Sequence, residues 1–286
     1  MDETILLRID SLLKHINRVM SDTQGLTMEE LKRSDLLLRA TCFSVAQIGE
    51  AMNQMEKVLG ERYWNLPWKG ARKMRNVIVH DYGNTDVEQV YSTIRGDLPS
   101  LEIAFRAVRN DLVFGTIETE RLVLRKIRIE DAPPMFENWT GDPEVAKYVT
   151  WPTHPTVETT EAVVKSWIKE EANPKTFRYI ITVAECDEPI GCIDVVDYID
   201  GAPEVGYCLS KKHWGKGYMT EACKAFVGYL FDIGFPRVVI EANVSNVASN
   251  RVIEKCGFAF VRREEKAHCS PCKPEPIAVN WYEAHR

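Results

Sequence analysis

The apolar residues of this 286-residue chain follow one period up to about residue 110 and another beyond it, so no single kind of layer accounts for both halves. Ile5, Leu6, Ile9, Leu12, Leu13, Ile16 and Val19 recur at spacings of three and four, which puts them on one face of a helix. Gly25 ends that pattern, and Thr27 stands three residues before Glu30, the spacing of a capping box. Leu31, Leu36, Leu37, Leu38, Cys42, Val45, Ile48, Met52, Met55 and Leu59 then describe a long buried helix with interruptions. A loop through Leu66-Pro67-Trp68 precedes a third helix around 71–81, which Gly83-Asn84-Thr85 breaks. A fourth starts near Asp86, with an interruption expected at Leu98-Pro99. Residues 1–112 therefore read as an all-α helical bundle.

After Val113-Phe114-Gly115 the pattern alternates. Arg121-Leu122-Val123-Leu124-Arg125 has the period of two expected of a strand, and segments 177–184, 190–196, 204–209, 237–244, 258–263 and 277–282 read as further strands. Helical patterns run from the glycine turn to about Gly234 and over 249–256. Strands and helices interleaved in this way predict an α/β domain with a mixed sheet over residues 116–286.

A net charge of −6 supplies no general attraction to nucleic acid or to a membrane surface. No apolar run approaches about 20 residues, so no membrane span is expected. Met1-Asp2-Glu3 has the wrong sign for a signal peptide, and eight scattered cysteines suit reduced thiols, so a cytoplasmic location is expected. Cys269 and Cys272 stand beside His268 without a second ligand pair, and no metal is expected there.

The segment His213-Trp214-Gly215-Lys216-Gly217-Tyr218-Met219-Thr220-Glu221-Ala222 joins a strand to a helix. A glycine-rich turn at that junction aims free backbone N–H groups at one spot, and the helix dipole adds positive potential, which together make a pyrophosphate site. Two glycines in a turn are weak evidence alone. Their company makes them specific.

Thr119-Glu120-Arg121-Leu122-Val123-Leu124-Arg125 with Glu130-Asp131-Ala132, Glu204-Val205-Gly206-Tyr207, the glycine turn, and Asn246-Val247-Ala248-Ser249-Asn250 with Glu254-Lys255-Cys256-Gly257-Phe258 occur in that order. This order resembles the GNAT superfamily of N-acetyltransferases, its ribosomal-protein (Rim-type) branch above all. The resemblance implies acetyl-CoA as co-substrate, its pyrophosphate on the amides of Trp214, Gly215, Lys216, Gly217, Tyr218 and Met219, and its pantetheine arm between the strands at 204–209 and 237–244. Attack by an amine needs a base, and Glu204 is the candidate, against the plainer reading of a strand-edge carboxylate on a polar face. The leaving thiolate gains from a proton donor. Many members carry a Tyr where this chain has Ile253, and Ser249 is the substitute the Rim-type branch implies. Asn246 is expected to hold pantetheine or to cap the helix, and Lys216 to reach a phosphate or remain solvated. Trp151 and Trp167 fall where the acceptor pocket of this family forms, though core packing explains a Trp equally well.

In the helical half, Arg72, Asn76 and His80 stand at i, i+4 and i+8 on one face, while Arg75, Val79 and Tyr82 form a neighbouring stripe. Arg75 and His80 are about 140° apart on an ideal helix, so a second subunit or a frayed end near Gly83 is needed to bring both to one phosphate. The plain alternative is a solvated basic face with His80 capping a helix end. Arg75, four spacers, His80 and then Tyr82 resemble the signature of HEPN domains of the HepT-like toxin type. That resemblance implies a homodimer through the helical half and a metal-independent ribonuclease site. His80 would move the proton, Arg75 neutralise phosphorane charge and Asn76 orient one of them. Tyr82 would be the target of a nucleotidyltransferase antitoxin.

Three functions remain open to the sequence: a toxin–antitoxin-type ribonuclease fused to an acetyl-CoA-dependent N-acetyltransferase, an acetyltransferase with an inert dimerisation bundle, and a non-enzymatic acetyl-CoA sensor whose bundle binds RNA or protein.

Overall fold

The computed structural model of the chain describes residues 3–61, 63, 66–68, 70, 86–113, 115–171, 173, 175–267 and 276–286. Backbone contacts divide it into two compact units, one within Met1–Val113 and the other comprising Phe114–Glu171 with Thr176–Arg286.

The first unit is helical. α1 (Glu3–Asp22) ends where the Thr23 hydroxyl donates to the Val19 carbonyl at 2.7 Å, and Gly25 turns the chain at φ +74°. α2 (Met28–Arg33) carries the capping box its sequence announces: the Thr27 N–H donates to Glu30 at 2.8 Å and the Glu30 N–H to the Thr27 hydroxyl at 3.3 Å. Ser34 separates α2 from α3 (Asp35–Leu59). α4 (Val87–Ser92) starts at Asp86, whose carboxylate accepts the N–H groups of Glu88 and Gln89.

The expected interruption near Leu98-Pro99 is a π-helical turn over Thr93–Asp97, one turn earlier, and α5 (Leu98–Val113) continues through the proline. Pro99 has no N–H and its ring crowds the carbonyl four residues back; widening the preceding turn, with Leu98 N–H reaching Thr93 O, relieves that without ending the helix. Ile9, Leu12, Ile16, Leu31, Met52, Met55 and Phe105 are fully buried in this unit's core, where the rings of Trp68 and Phe105 meet edge to face at 6.0 Å. The third helix expected around 71–81 lies outside the described residues, and with it Arg75, Asn76, His80 and Tyr82. So do His268, Cys269 and Cys272.

The second unit is built on an eight-stranded sheet: β1 (Thr116–Glu118), β2 (Leu122–Arg125), β3 (Arg178–Val183), β4 (Pro189–Ile199), β5 (Ala202–Leu209), β6 (Arg237–Asn243), β7 (Ala259–Ala267) and β8 (Ile277–His285), in the order β1-β2-β3-β4-β5-β6-β8-β7. Neighbours are antiparallel except β5 and β6, which are parallel and share a single register pair, Glu204 with Val239. Beyond Glu204 the two strands part.

One face of the sheet, carrying Ile180, Cys192 and Cys208 in register, packs under helical turns at 132–146 and α6 (Val157–Glu170), with Trp139 and Val164 fully buried. The other face carries Tyr179, which meets Phe226 and Tyr229 of α7 (Tyr218–Asp232) at 5.8 and 5.9 Å. α8 (Val247–Lys255) follows β6. The sequence reading did not anticipate β1 or the helices between β2 and β3; both are recovered only in the fold. No helix among the described residues is long and apolar enough to cross a membrane.

Candidate functional site

β5 and β6 pair only at Glu204 and Val239, and the candidate residues of the second unit lie on β5 and on the elements that follow it. Glu204 sits at the last paired position, 9% exposed. Burial, then the neighbouring carboxylates Glu241 and Asp197, push its pKa up to about 7. Among the described residues its carboxylate makes no side-chain hydrogen bond. A half-protonated carboxyl at neutral pH is suited to taking a proton.

Tyr207 lies three residues on, so its side chain leaves the opposite face of β5. Its hydroxyl is 2.9 Å from the Ser249 hydroxyl on α8, and burial pushes its pKa far above the ordinary value, so it stays protonated. The sequence reading named Ser249 and passed over Tyr207. The Tyr sat inside a quoted motif, but nothing local says that a residue 42 positions away completes the pair.

Asn246 caps α8: its side-chain oxygen accepts the Ser249 N–H at 3.2 Å, and so fixes the turn that presents Ser249. Asn250 anchors the same helix, donating to the carbonyls of Asn243 and Asn246 and accepting from Tyr282 at 2.7 Å and Asn280 at 2.9 Å.

At the end of β5 the chain enters the glycine turn. Gly215 (φ +75°) and Gly217 (φ +81°) take a left-handed conformation that other residues reach only with strain, and Gly217 begins α7 with no side-chain cap. Among the described residues the N–H groups from Gly215 to Thr220 donate no hydrogen bond; the first to do so is Glu221, to the Gly217 carbonyl at 3.1 Å. The Trp214 N–H differs from its neighbours in the expected set: it is taken by the Lys211 carbonyl at 3.2 Å, and the indole N–H by the Leu209 carbonyl at 2.8 Å. Tyr218 is half-buried, Met219 buried, and the Lys216 side chain exposed. Two more polar atoms of this turn, Ser210 Oγ and His213 Nδ1, are buried with no partner among the described residues. A row of free amides on exposed glycines at a helix start fits a diphosphate.

The first motif clamps that turn. The Arg121 guanidinium lies 4.6 Å over the Tyr218 ring, donates to the Lys216 carbonyl at 3.1 Å and to Glu221 at 2.7 Å, while the Thr119 hydroxyl donates to the other Glu221 oxygen at 2.7 Å. Further along β2, buried Arg125 grips Asp131 with two bonds of 2.8 Å and Asp187 with one of 2.7 Å, a structural pairing rather than a site. Trp151 and Trp167 pack on the core of the Glu204 face, and Arg178 stands 4.2 Å over the Trp167 ring. Among the described residues no group of His, Cys, Asp and Glu is placed to hold a metal ion.

Residues 121–259 match the family model described as an acetyltransferase (GNAT) domain, and residues 12–108 the model described as ribonuclease HepT-like. The uncharacterized N-acetyltransferase p20 of Bacillus licheniformis is 32% identical over 158 residues, covering 53% of this chain and 88% of that protein. A candidate RNase of Caldanaerobacter subterraneus is 27% identical over 94 residues, covering 33% of this chain and 84% of its own. The solved structure of RimL, a ribosomal L7/L12 alpha-N-protein acetyltransferase in complex with coenzyme A, aligns with a TM-score of 0.52 over 59% of this chain and 97% of its own; at 22% identity that is a likeness of fold.

Proposed function

Since the chain belongs to the GNAT N-acetyltransferases through residues 121–259 and carries a HepT-like domain over residues 12–108, we propose that it transfers an acetyl group from acetyl-CoA to an amine and cleaves RNA with its helical half. The observation that carries the first activity is the placement of Glu204 and Ser249 about the gap between β5 and β6. The buried carboxyl is on one face of β5, and the hydroxyl that Tyr207 holds is on the other. An acceptor arrives on the Glu204 face, and the free amides of Gly215–Met219 bind the pyrophosphate of the co-substrate. Bound acetyl-CoA supplies a thioester. Glu204 takes a proton from the acceptor ammonium and passes it to solvent, and the freed nitrogen bonds to the thioester carbon as the C–S bond breaks. The nitrogen gives up its second proton to Glu204 to leave a neutral amide, and the Ser249 hydroxyl supplies a proton to the leaving sulfur. Tyr207 returns that proton to Ser249 along their 2.9 Å hydrogen bond and is itself restored from solvent. Asn246 acts by positioning Ser249.

In the helical half, His80 exchanges the proton of RNA cleavage, Arg75 neutralises the phosphorane, and Asn76 orients them, with Tyr82 as the site at which a nucleotidyltransferase antitoxin silences the activity. Two subunits pair through this half. Leu36, Ala40 and Phe43 form an exposed apolar stripe on α3, which supports such a pairing. The whole is a toxin–antitoxin-type enzyme in the cytoplasm.

CoA release in the presence of amine and peptide acceptors tests the first activity. Glu204→Gln is expected to lower kcat/KM roughly 100-fold at pH 8 and Ser249→Ala roughly 10-fold; undiminished turnover in Glu204→Gln removes the base assignment. For the second, a mixed tRNA pool is incubated in EDTA with wild-type and His80→Ala protein. Cleavage by the wild type alone supports the ribonuclease, and equal cleavage by both removes His80 from it.

A further inference from the structure

α7 and α8 bring two thiols together beside the glycine turn. Cys223 lies in the second turn of α7 and is fully buried, while Cys256 closes α8 as its C-terminal cap and is half-buried. The Cys256 thiol donates to the Thr220 carbonyl at 3.6 Å. In an α-helix the carbonyl of one residue stands beside the side chain three positions on, so a sulfur resting on Thr220 O also rests against Cys223. The two thiols share a hydrogen bond, and that bond and burial push Cys223 well up. On Cys256 the same bond acts downwards, with help from Lys224, and outweighs burial. The accessible sulfur is thus the one that ionises, and the buried sulfur stands ready behind it.

The other buried cysteines lack this asymmetry. Cys192 and Cys208 stand in register on β4 and β5 with sulfurs 3.4 Å apart, yet both are buried, and their shared hydrogen bond and burial push Cys192 well up. Cys42 belongs to the helical unit, and burial raises it too. The place of the Cys223–Cys256 pair also matters. Thr220 is the last of the residues from Gly215 onwards whose N–H groups donate to nothing among the described residues. Ser249 lies seven residues before Cys256, on the same face of α8. A disulfide holds its sulfurs about 2.05 Å apart, far closer than a hydrogen bond between thiols does. Closing one takes Cys256 off Thr220 O and draws the end of α8 against the helix start that carries the free amides.

We propose that Cys223 and Cys256 form a thiol–disulfide modification site, which a low-molecular-weight disulfide closes and which, once closed, weakens acetyl-CoA binding. The Cys256 thiolate attacks one sulfur of the reagent, whose S–S bond breaks, and the released thiolate takes up the proton that Cys256 gave. Cys223 then attacks the Cys256 sulfur of this mixed disulfide, and its proton goes to the second half of the reagent, which leaves as a thiol. The protein loses two electrons and two protons, and one small disulfide becomes two thiols. Formation of the bond stands on the geometry of the two helices. Its effect on binding rests on the co-substrate site proposed above.

The full-length protein is incubated with bis(2-hydroxyethyl) disulfide, digested without reduction and mapped by mass spectrometry, with acetyl-CoA affinity measured by titration calorimetry before and after. A Cys223–Cys256 linkage is expected, with affinity lowered about tenfold or more and restored by dithiothreitol. Saturating acetyl-CoA is expected to slow the linkage, since the two events oppose each other reciprocally. Cys223→Ser is expected to bind acetyl-CoA as the reduced wild type does and to stop at the mixed disulfide on Cys256. Cys256→Ser is expected to leave Cys223 unreacted. Mapping distinguishes this linkage from any made by Cys269 and Cys272. Cys223 and Cys256 recovered as free thiols, or a linkage that leaves affinity unchanged, overturns the inference. Reduced protein that fails to bind acetyl-CoA overturns the co-substrate reading and the gating with it, while the mapped linkage still decides the modification site.

Discussion

Burial and two neighbouring carboxylates hold Glu204 near a pKa of 7, so the residue changes charge in the range where an amine acceptor must lose its proton. The same shift acts on stability. Between its ordinary value of 4.5 and about 7 the folded protein keeps a proton on Glu204 that the unfolded chain has released. Stability from this residue is therefore fully present below pH 4.5 and is lost as pH rises towards 7. Glu204→Gln carries no such penalty. It is expected to unfold at a higher temperature than wild type at pH 8, with a gain of about 3 kcal/mol at most, and at nearly the same temperature at pH 4. Thermal unfolding of both proteins at the two pH values checks this; a variant less stable than wild type at pH 8 would show that the carboxylate is held by a compensating charge. The residue type and its place on a strand were legible in the sequence. Its pKa was not, since Glu241 and Asp197 come to it from strands 37 residues later and 7 residues earlier by way of sheet register.

Single elements differ in how plainly the sequence foretells them. The Thr27–Glu30 capping box needs only four residues and a helix, and it forms as read. The proline at Pro99 was legible as a disturbance but not as its outcome. Whether a helix ends or widens depends on packing on both sides, and here Ile94, Leu98 and Leu101 are all buried in one core. The turns at 132–146 are not legible in the sequence because they are short and carry Pro133, Pro134 and Pro143, which do not display a helical period.

The turn before α7 was legible because both its glycines are needed locally for positive φ. Its tether was not, since Arg121 reaches Lys216 and Glu221 from 95 and 100 residues away. Arg121→Ala should let the turn wander, raising KM for acetyl-CoA by roughly tenfold while kcat falls less, as expected where a positioning contact in binding is lost. Steady-state kinetics against acetyl-CoA concentration decide the matter; a fall in kcat alone would place Arg121 in the chemical step instead.

At the scale of the molecule the change of hydrophobic period corresponds, among the described residues, to separate clusters of buried residues in the two units, one running from Ile5 to Val108 and another that includes Ile127, Trp139, Ile180 and Cys208. Each has its own apolar interior, so calorimetry is expected to resolve two transitions. Acetyl-CoA should move only one of them upwards, by about 2.7 kcal/mol at a hundred times its Kd, because a ligand stabilises only the unit that binds it. Equal movement of both transitions would mean that the units unfold as one.

What the sequence determined by itself are the features that neighbouring residues settle among themselves: the helical period of Ile5–Val19, the alternation of Leu122–Arg125, the cap at Thr27 and the left-handed glycines 215 and 217. What the tertiary structure decided are quantities summed over elements far apart in the chain. The parting of β5 from β6 after Glu204, the joining of Tyr207 to Ser249, and the approach of Asp197 and Glu241 to Glu204 each depend on strand register. Register is set by which faces can be buried together, and desolvation and Coulomb interaction depend on distance in space, to which separation along the chain is indifferent.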